Sequence, residues 1–207
     1  MIQVRDTFQI KFGRIDDAVE LFTRFRKEVA AAELPFPYEI LTDLSGKMYA
    51  LVTCIQLPSI AVWEQTAPAI WARPEFERWY KSFNQSVEDG RREFFTVEQA
   101  NEGWSVAGAV VVRSCFRALE WRVRDTVDLI KTYGAMLVDC GVGERPRILT
   151  DASGKMFNVV IEIEAPNLQT WDEHRRGMFR RPEFKVWFQR LLTCVSHGSH
   201  EFYTLAG

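Results

Sequence analysis

The chain has 207 residues, a formal charge of −2 and 47% aliphatic and aromatic residues, enough for a substantial core and too much for global disorder. Its 26 basic and 28 acidic residues are interspersed. No basic stripe is left for nucleic acid and no polybasic segment for anionic lipid, so neither partner is expected. The amino terminus becomes charged too soon for a secretory signal, and no apolar run approaches a membrane span, so a cytoplasmic location is expected. Cysteines stand singly at 54, 115, 140 and 194, without zinc spacing, and no metal site is expected.

In chain order, Val4, Phe8, Ile10 and Phe12 alternate with polar residues and predict a first strand. Ile15, Val19, Phe22 and Val29 follow at helical spacing, predicting a helix over about 15–32. Leu34-Pro-Phe-Pro37 ends it. Residues 40–49, Ile-Leu-Thr-Asp-Leu-Ser-Gly-Lys-Met-Tyr, then read as a hairpin turn on Asp43 and Gly46, with a strand from Lys47 to Leu57. Ser-Gly-Lys also ends a phosphate loop, but the glycine such a loop needs five residues earlier is Leu41. Pro58 opens a second helical region, restarted by Arg73-Pro-Glu-Phe76, and a short strand over Glu93–Glu98 closes the unit.

Everything then recurs at an offset of 108 residues. The hairpin stretch returns as residues 148–157, Trp63 as Trp171, Arg73-Pro-Glu-Phe76 as Arg181-Pro-Glu-Phe184, and Trp79 as Trp187. About three positions in ten are identical, the self-similarity of a duplication. Expected are a first repeat over residues 1–98, a linker over 99–108 that carries Trp104, and a second repeat over 109–207, with a helix over about 123–139 and a last strand over Glu201–Leu205. Each repeat reads strand, helix, two-stranded hairpin, helix, strand. That is a ferredoxin-like α+β unit with its helices on one face of the sheet. Two such units cover each other's bare face by packing sheet to sheet.

On this succession the chain resembles the dimeric α/β barrel superfamily, here as two tandem ferredoxin-like βαββαβ units fused into a pseudo-dimeric barrel. The Val-Arg-x-x-Phe strand, Phe12-Gly13-Arg14 and the helix after it are similar to NIPSNAP domains. The resemblance implies one of several functions: a cofactor-free monooxygenase, a haem protein, or an interaction domain without catalysis.

Departures between the repeats are where a site is sought. All three histidines belong to the second copy: His174 replaces Thr66, while His197 and His200 replace Asp89 and Arg92. His174, three residues after Trp171, is either a general base or haem ligand beneath an apolar wall of Trp171 and Trp187, or a surface residue in a charged run. His197 and His200 read as a polar loop before the last strand, with a metal-binding pair, lacking a third ligand in view, as the lesser alternative. On the face of the long strand away from the helices, Met48, Ala50, Val52, Cys54 and Gln56 become Met156, Asn158, Val160, Glu162 and Glu164. With Arg113 and Arg117 alongside, this predicts an inward charge cluster, either a structural ion-pair network or the lining of a ligand cavity. The expected partner is a small molecule, apolar or aromatic, with His174 as proton acceptor. No cofactor is expected, with haem as the alternative, and the chain is either a monomer with an internal pseudo-dimer or a homodimer.

Overall fold

The computed structural model describes residues 1–31, 38–101 and 107–206. The helix stop at Leu34–Pro37 and linker residue Trp104 lie outside them. Contacts divide the chain into one unit of Met1–Phe95 with Ala206 and a second of Thr96–Leu205.

The first half runs β1 (Ile2–Ile10), α1 (Ile15–Ala31), β2 (Glu39–Asp43), β3 (Ala50–Leu57), α2 (Ile60–Trp71), α3 (Pro74–Phe83) and β4 (Val87–Gln99). The second repeats it as β5 (Val110–Ala118), α4 (Val123–Asp139), β6 (Arg147–Asp151), β7 (Asn158–Ala165), α5 (Leu168–Phe179), α6 (Pro182–Leu192) and β8 (Val195–Ala206). The strand orders are β4-β1-β3-β2 and β8-β5-β7-β6, the ferredoxin-like order twice. Even the register repeats: Ile2 opposes Leu57 in the first unit, and Val110 opposes Ala165 in the second.

The same local chemistry builds both copies. Ser59 and Asn167 cap α2 and α5, their side chains accepting from the amides of Val62 and Thr170. Pro74 and Pro182 open α3 and α6, where a missing N–H leaves no bond unmade. The duplicated stretch is a clamped turn. Gly46 and Gly154 take φ of 94° and 90°. Asp43 Oδ1 accepts from the Ala50 amide at 2.8 Å, and Asp151 Oδ1 from the Asn158 amide at 2.6 Å.

Two boundaries differ from expectation. The third strand of each unit starts at Ala50 or Asn158 rather than near Lys47, because Tyr49 and Phe157 take positive φ (59° and 61°) to close the turn. The last strands start at Val87 and Val195, so His197 and His200 sit in β8 rather than in a loop before it. These residues carry no apolar alternation and are held by backbone pairing, with Cys115 opposite Ser199 and Arg117 opposite His197. A Cβ on Gly90 would stand 3.1 Å from the Phe8 ring, and one on Gly198 3.0 Å from Phe116, so glycine lets each ring lie over the neighbouring strand.

Candidate functional site

Between the helices and the sheet the two units part company. In the second, the space is filled. Ile130, Leu137, Met178 and Leu191 are buried with Ile148, Ile161 and Ile163 in one cluster. Trp187 stacks on Tyr133 at 4.6 Å and donates its indole N–H to the Leu129 carbonyl at 2.7 Å. In the first, the corresponding space holds a cavity of about 200 Å³. Its walls are Phe8 on β1, Phe22 on α1, Trp63, Ala67 and Trp71 on α2, and Phe76 and Trp79 on α3. The difference is read directly from paired positions: Trp171, Met178 and Trp187 are buried, whereas Trp63, Ile70 and Trp79 are only half-buried. Ala67, where the second copy has Arg175, removes further bulk from α2.

Polar groups reach this cavity at few points. Asp6 on β1 and Arg92 on β4 form a two-pronged pair, Nε to Oδ1 at 2.7 Å and Nη2 to Oδ2 at 2.6 Å. The Arg92 guanidinium also lies 4.7 Å from the centre of the Trp63 ring and 5.9 Å from that of Trp71, so aromatic faces and a carboxylate fix its plane. Tyr38 donates its hydroxyl to the Phe22 carbonyl at 2.6 Å, and burial raises its phenol pKa above the ordinary value. Thr53 adds a hydroxyl. The Trp79 N–H is buried with no acceptor, unlike that of Trp187.

In the second unit, the Asp6–Arg92 positions are Ser114 and His200, whose Oγ and Nδ1 stand 2.7 Å apart. Burial, and then the Arg175 cation, hold the His200 pKa below its usual range. His197 lies on the opposite face of β8, with Nδ1 3.1 Å from Ser196 Oγ. Among the described residues no three His, Cys, Asp or Glu side chains form a group able to hold a metal ion. His174 is half-buried on α5, its Nδ1 without a partner. It shares a helix face with Trp171 and Met178, and its ring abuts Gly141, where an added Cβ would lie 3.4 Å from Cε1. Trp171 itself meets Phe202 edge-on at 6.4 Å.

The expected charge cluster resolves into parts. Arg113 Nη1 donates to Glu162 Oε1, both side chains being buried. Arg147, which pattern reading passed over, supplies Nη1 to Glu162 Oε2 at 3.4 Å and Nε to Asn101 Oδ1 at 3.0 Å. Burial works against the Arg113 cation, but Cys115, Glu162, Tyr203 and Glu201 outweigh it and raise its pKa. Arg117 goes elsewhere, to the Met156 carbonyl and over the Phe157 ring. Glu164 and Asn158 are half-buried, and Asn158 gives its backbone amide to the Asp151 clamp.

Sequence reasoning missed the Asp6–Arg92 pair, although a signal was present. Asp6 to Ser114, Arg92 to His200, Thr53 to Ile161 and Ala67 to Arg175 are departures between the copies, and these positions converge on one space.

No protein-family model matches the chain, and no curated protein matches it in sequence. Solved structures do. A candidate monooxygenase from Fusobacterium nucleatum is similar over 100% of this chain and 92% of its own, with TM-score 0.76 and 10% identity. An anthrone oxidase-like protein covers 100% and 91%, with TM-score 0.67 and 16% identity. A haem-binding protein from Thermus thermophilus covers 99% and 90%, with TM-score 0.59 and 11% identity. NIPSNAP domain proteins from Burkholderia xenovorans and Agrobacterium tumefaciens each align with 45% of the chain, at TM-scores of 0.39 and 0.41.

Haem does not fit at His174 or in the first unit's cavity. His174 is pressed against Gly141 on a face shared with two buried core residues. The first unit's cavity, about 200 Å³, falls below the roughly 300–1,000 Å³ of pockets for drug-sized ligands and has no histidine or cysteine among its described lining residues. What the likenesses show is the fold: the chain carries the ferredoxin-like α+β fold of the dimeric α/β barrel proteins twice over.

Proposed function

We propose that the first unit binds a small, planar, apolar or aromatic molecule in the space between its helices and its sheet. The observation that carries this is the unequal filling of one space in two copies of one fold: the second copy completes its core, while the first leaves about 200 Å³ walled by aromatic rings. An engineered apolar cavity of about 150 Å³ admits benzene, so this one suits one or two fused rings. The half-exposed Trp63, Ile70 and Trp79 give such a molecule a way in.

Cofactor-free oxygenation is a second reading, favoured by a carboxylate at the wall of an apolar cavity. A substrate methylene carbon flanked by an aromatic ring and a carbonyl would lose a proton toward Asp6 and pass its electrons to dioxygen. One oxygen atom would stay as a ketone and the other leave as water, so the substrate supplies every electron. Arg92, beside Asp6, would stabilise the anion in between. This places the acid–base role on Asp6 rather than on His174, which lies in the second unit. The non-catalytic alternative is an interaction domain, for which no surface feature argues as directly.

Quenching of tryptophan fluorescence by naphthalene tests the binding reading, with Ala67→Phe as the filled-cavity control. Binding to wild type and its loss in a variant that melts no lower is the expected result. Undiminished binding to Ala67→Phe would sink the reading. Oxygen uptake with 2-indanone, a two-ring ketone with an acidic benzylic carbon, abolished in Asp6→Asn, tests the catalytic one.

A further inference from the structure

The ligand's polar chemistry is legible in the Asp6–Arg92 pair, on the reading that the first unit's cavity is the binding site. Among the described residues that line it, these two carry the only charges, and they cancel. Each keeps unspent hydrogen-bonding capacity. The pairing uses Arg92 Nε–H and one Nη2–H, leaving three donors on the guanidinium, and each Asp6 oxygen retains a lone pair. The guanidinium is held over Trp63 and Trp71, so it meets a ligand without reorganising. Thr53 and Trp79, the latter with a buried N–H that lacks an acceptor, belong to the same wall.

We infer that Asp6 and Arg92 act together as a neutral donor–acceptor pair that selects uncharged, hydroxyl-bearing aromatic molecules and rejects anionic ones. An aromatic hydroxyl donates to Asp6 while its oxygen accepts from Arg92, so both polar groups stay satisfied in an otherwise apolar space. A carboxylate of the same size would face Asp6 at close range and bring a net charge into that space, with no second cation to offset it. The sign of the discrimination therefore depends on which partner of the pair is present. In the second unit the same positions are Ser114 and His200, and the selecting pair is gone.

The test compares three probes of one shape: 2-naphthol, neutral at pH 7; 2-naphthoate, an anion; and naphthalene. Wild type is expected to bind 2-naphthol about tenfold or more tighter than either of the others, as for a hydrogen-bonding pair worth a kcal/mol or two. Asp6→Asn frees the Arg92 cation and should reverse the order, so that 2-naphthoate binds tighter than 2-naphthol. Arg92→Gln leaves the Asp6 carboxylate and should favour 2-naphthylmethylammonium over both, which keeps the inference testable if the first variant fails to fold. Wild type holding 2-naphthoate as tightly as 2-naphthol, or naphthalene as tightly as 2-naphthol, overturns the inference and leaves the cavity reading standing. Failure of every probe to bind overturns both.

Discussion

Glu162 is the most consequential side chain in the second unit, and replacing it by glutamine tests why. It is 1% exposed between Arg113, at 4%, and Arg147, fully buried, each of which offers a guanidinium nitrogen to one of its carboxylate oxygens. Glutamine keeps the shape and removes the charge, so two buried cations lose the carboxylate between them. Removing one member of a buried ion pair costs about 3–5 kcal/mol, because a buried charge then loses its nearest counterion. Against a typical stability of about 5–15 kcal/mol this is about a fifth or more of the total. In urea, where stability falls by about 1–3 kcal/mol per molar, the unfolding midpoint should drop by at least roughly 1 M. Glu164→Gln, two residues along the same face but half-buried, should cost at most about 1 kcal/mol. Replacing Arg113, Glu162 and Arg147 together by methionine, leucine and methionine should recover much of the loss, since a packed apolar trio needs no compensation. A Glu162→Gln midpoint within about 0.3 M of wild type, a loss of at most about 1 kcal/mol, would refute this.

Two further outcomes follow from the second unit. Because burial and Arg175 lower the folded pKa of His200, the unfolded chain takes up its proton more readily. The stability tied to the neutral imidazole is therefore complete above about pH 6.5 and is lost as the pH falls from there through the folded pKa. His200→Asn should melt with a smaller difference between about pH 7.5 and 5 than wild type, and an equal difference in both would remove His200 from the account. Trp121 is 94% exposed and sits at φ 63°, where its counterpart Gly13 sits at 73°. Trp121→Gly should raise stability by about 1 kcal/mol, read as a higher melting temperature, since a bulky residue in left-handed geometry is strained and this one packs on little. A lower melting temperature would mean the indole has contacts of its own.

The fold was legible because the chain states it twice. A pattern such as Val4, Phe8 and Ile10 is ambiguous alone, but its return as Val112, Phe116 and Ala118 at a fixed offset, with the same prolines opening α3 and α6, left one succession of elements. Strand ends were less legible where backbone pairing rather than side-chain burial extends them, as at Val87–Arg92. The site was hardest, because a cavity is a difference of volumes and no motif announces one. Attention to the histidines picked out His200 as a departure without asking what Arg92 did in its place. Its partner Asp6 lies 86 residues earlier, next to it only once β1 and β4 are paired. Arg147 was overlooked because it opens a short strand and carries no alternating signal, yet folding buries it completely.

On the proposed function, the first unit's aromatic cavity, and not the filled space of the second, receives the ligand. The indole N–H region of a nitrogen–proton correlation spectrum tests it directly, since the chain has seven tryptophans and each gives its own peak. On titration with 2-naphthol, Trp63, Trp71 and Trp79, assigned by single substitutions to phenylalanine, should move. Trp171 and Trp187 should stay still. Shifts at those two, or at none of the five, would contradict the account.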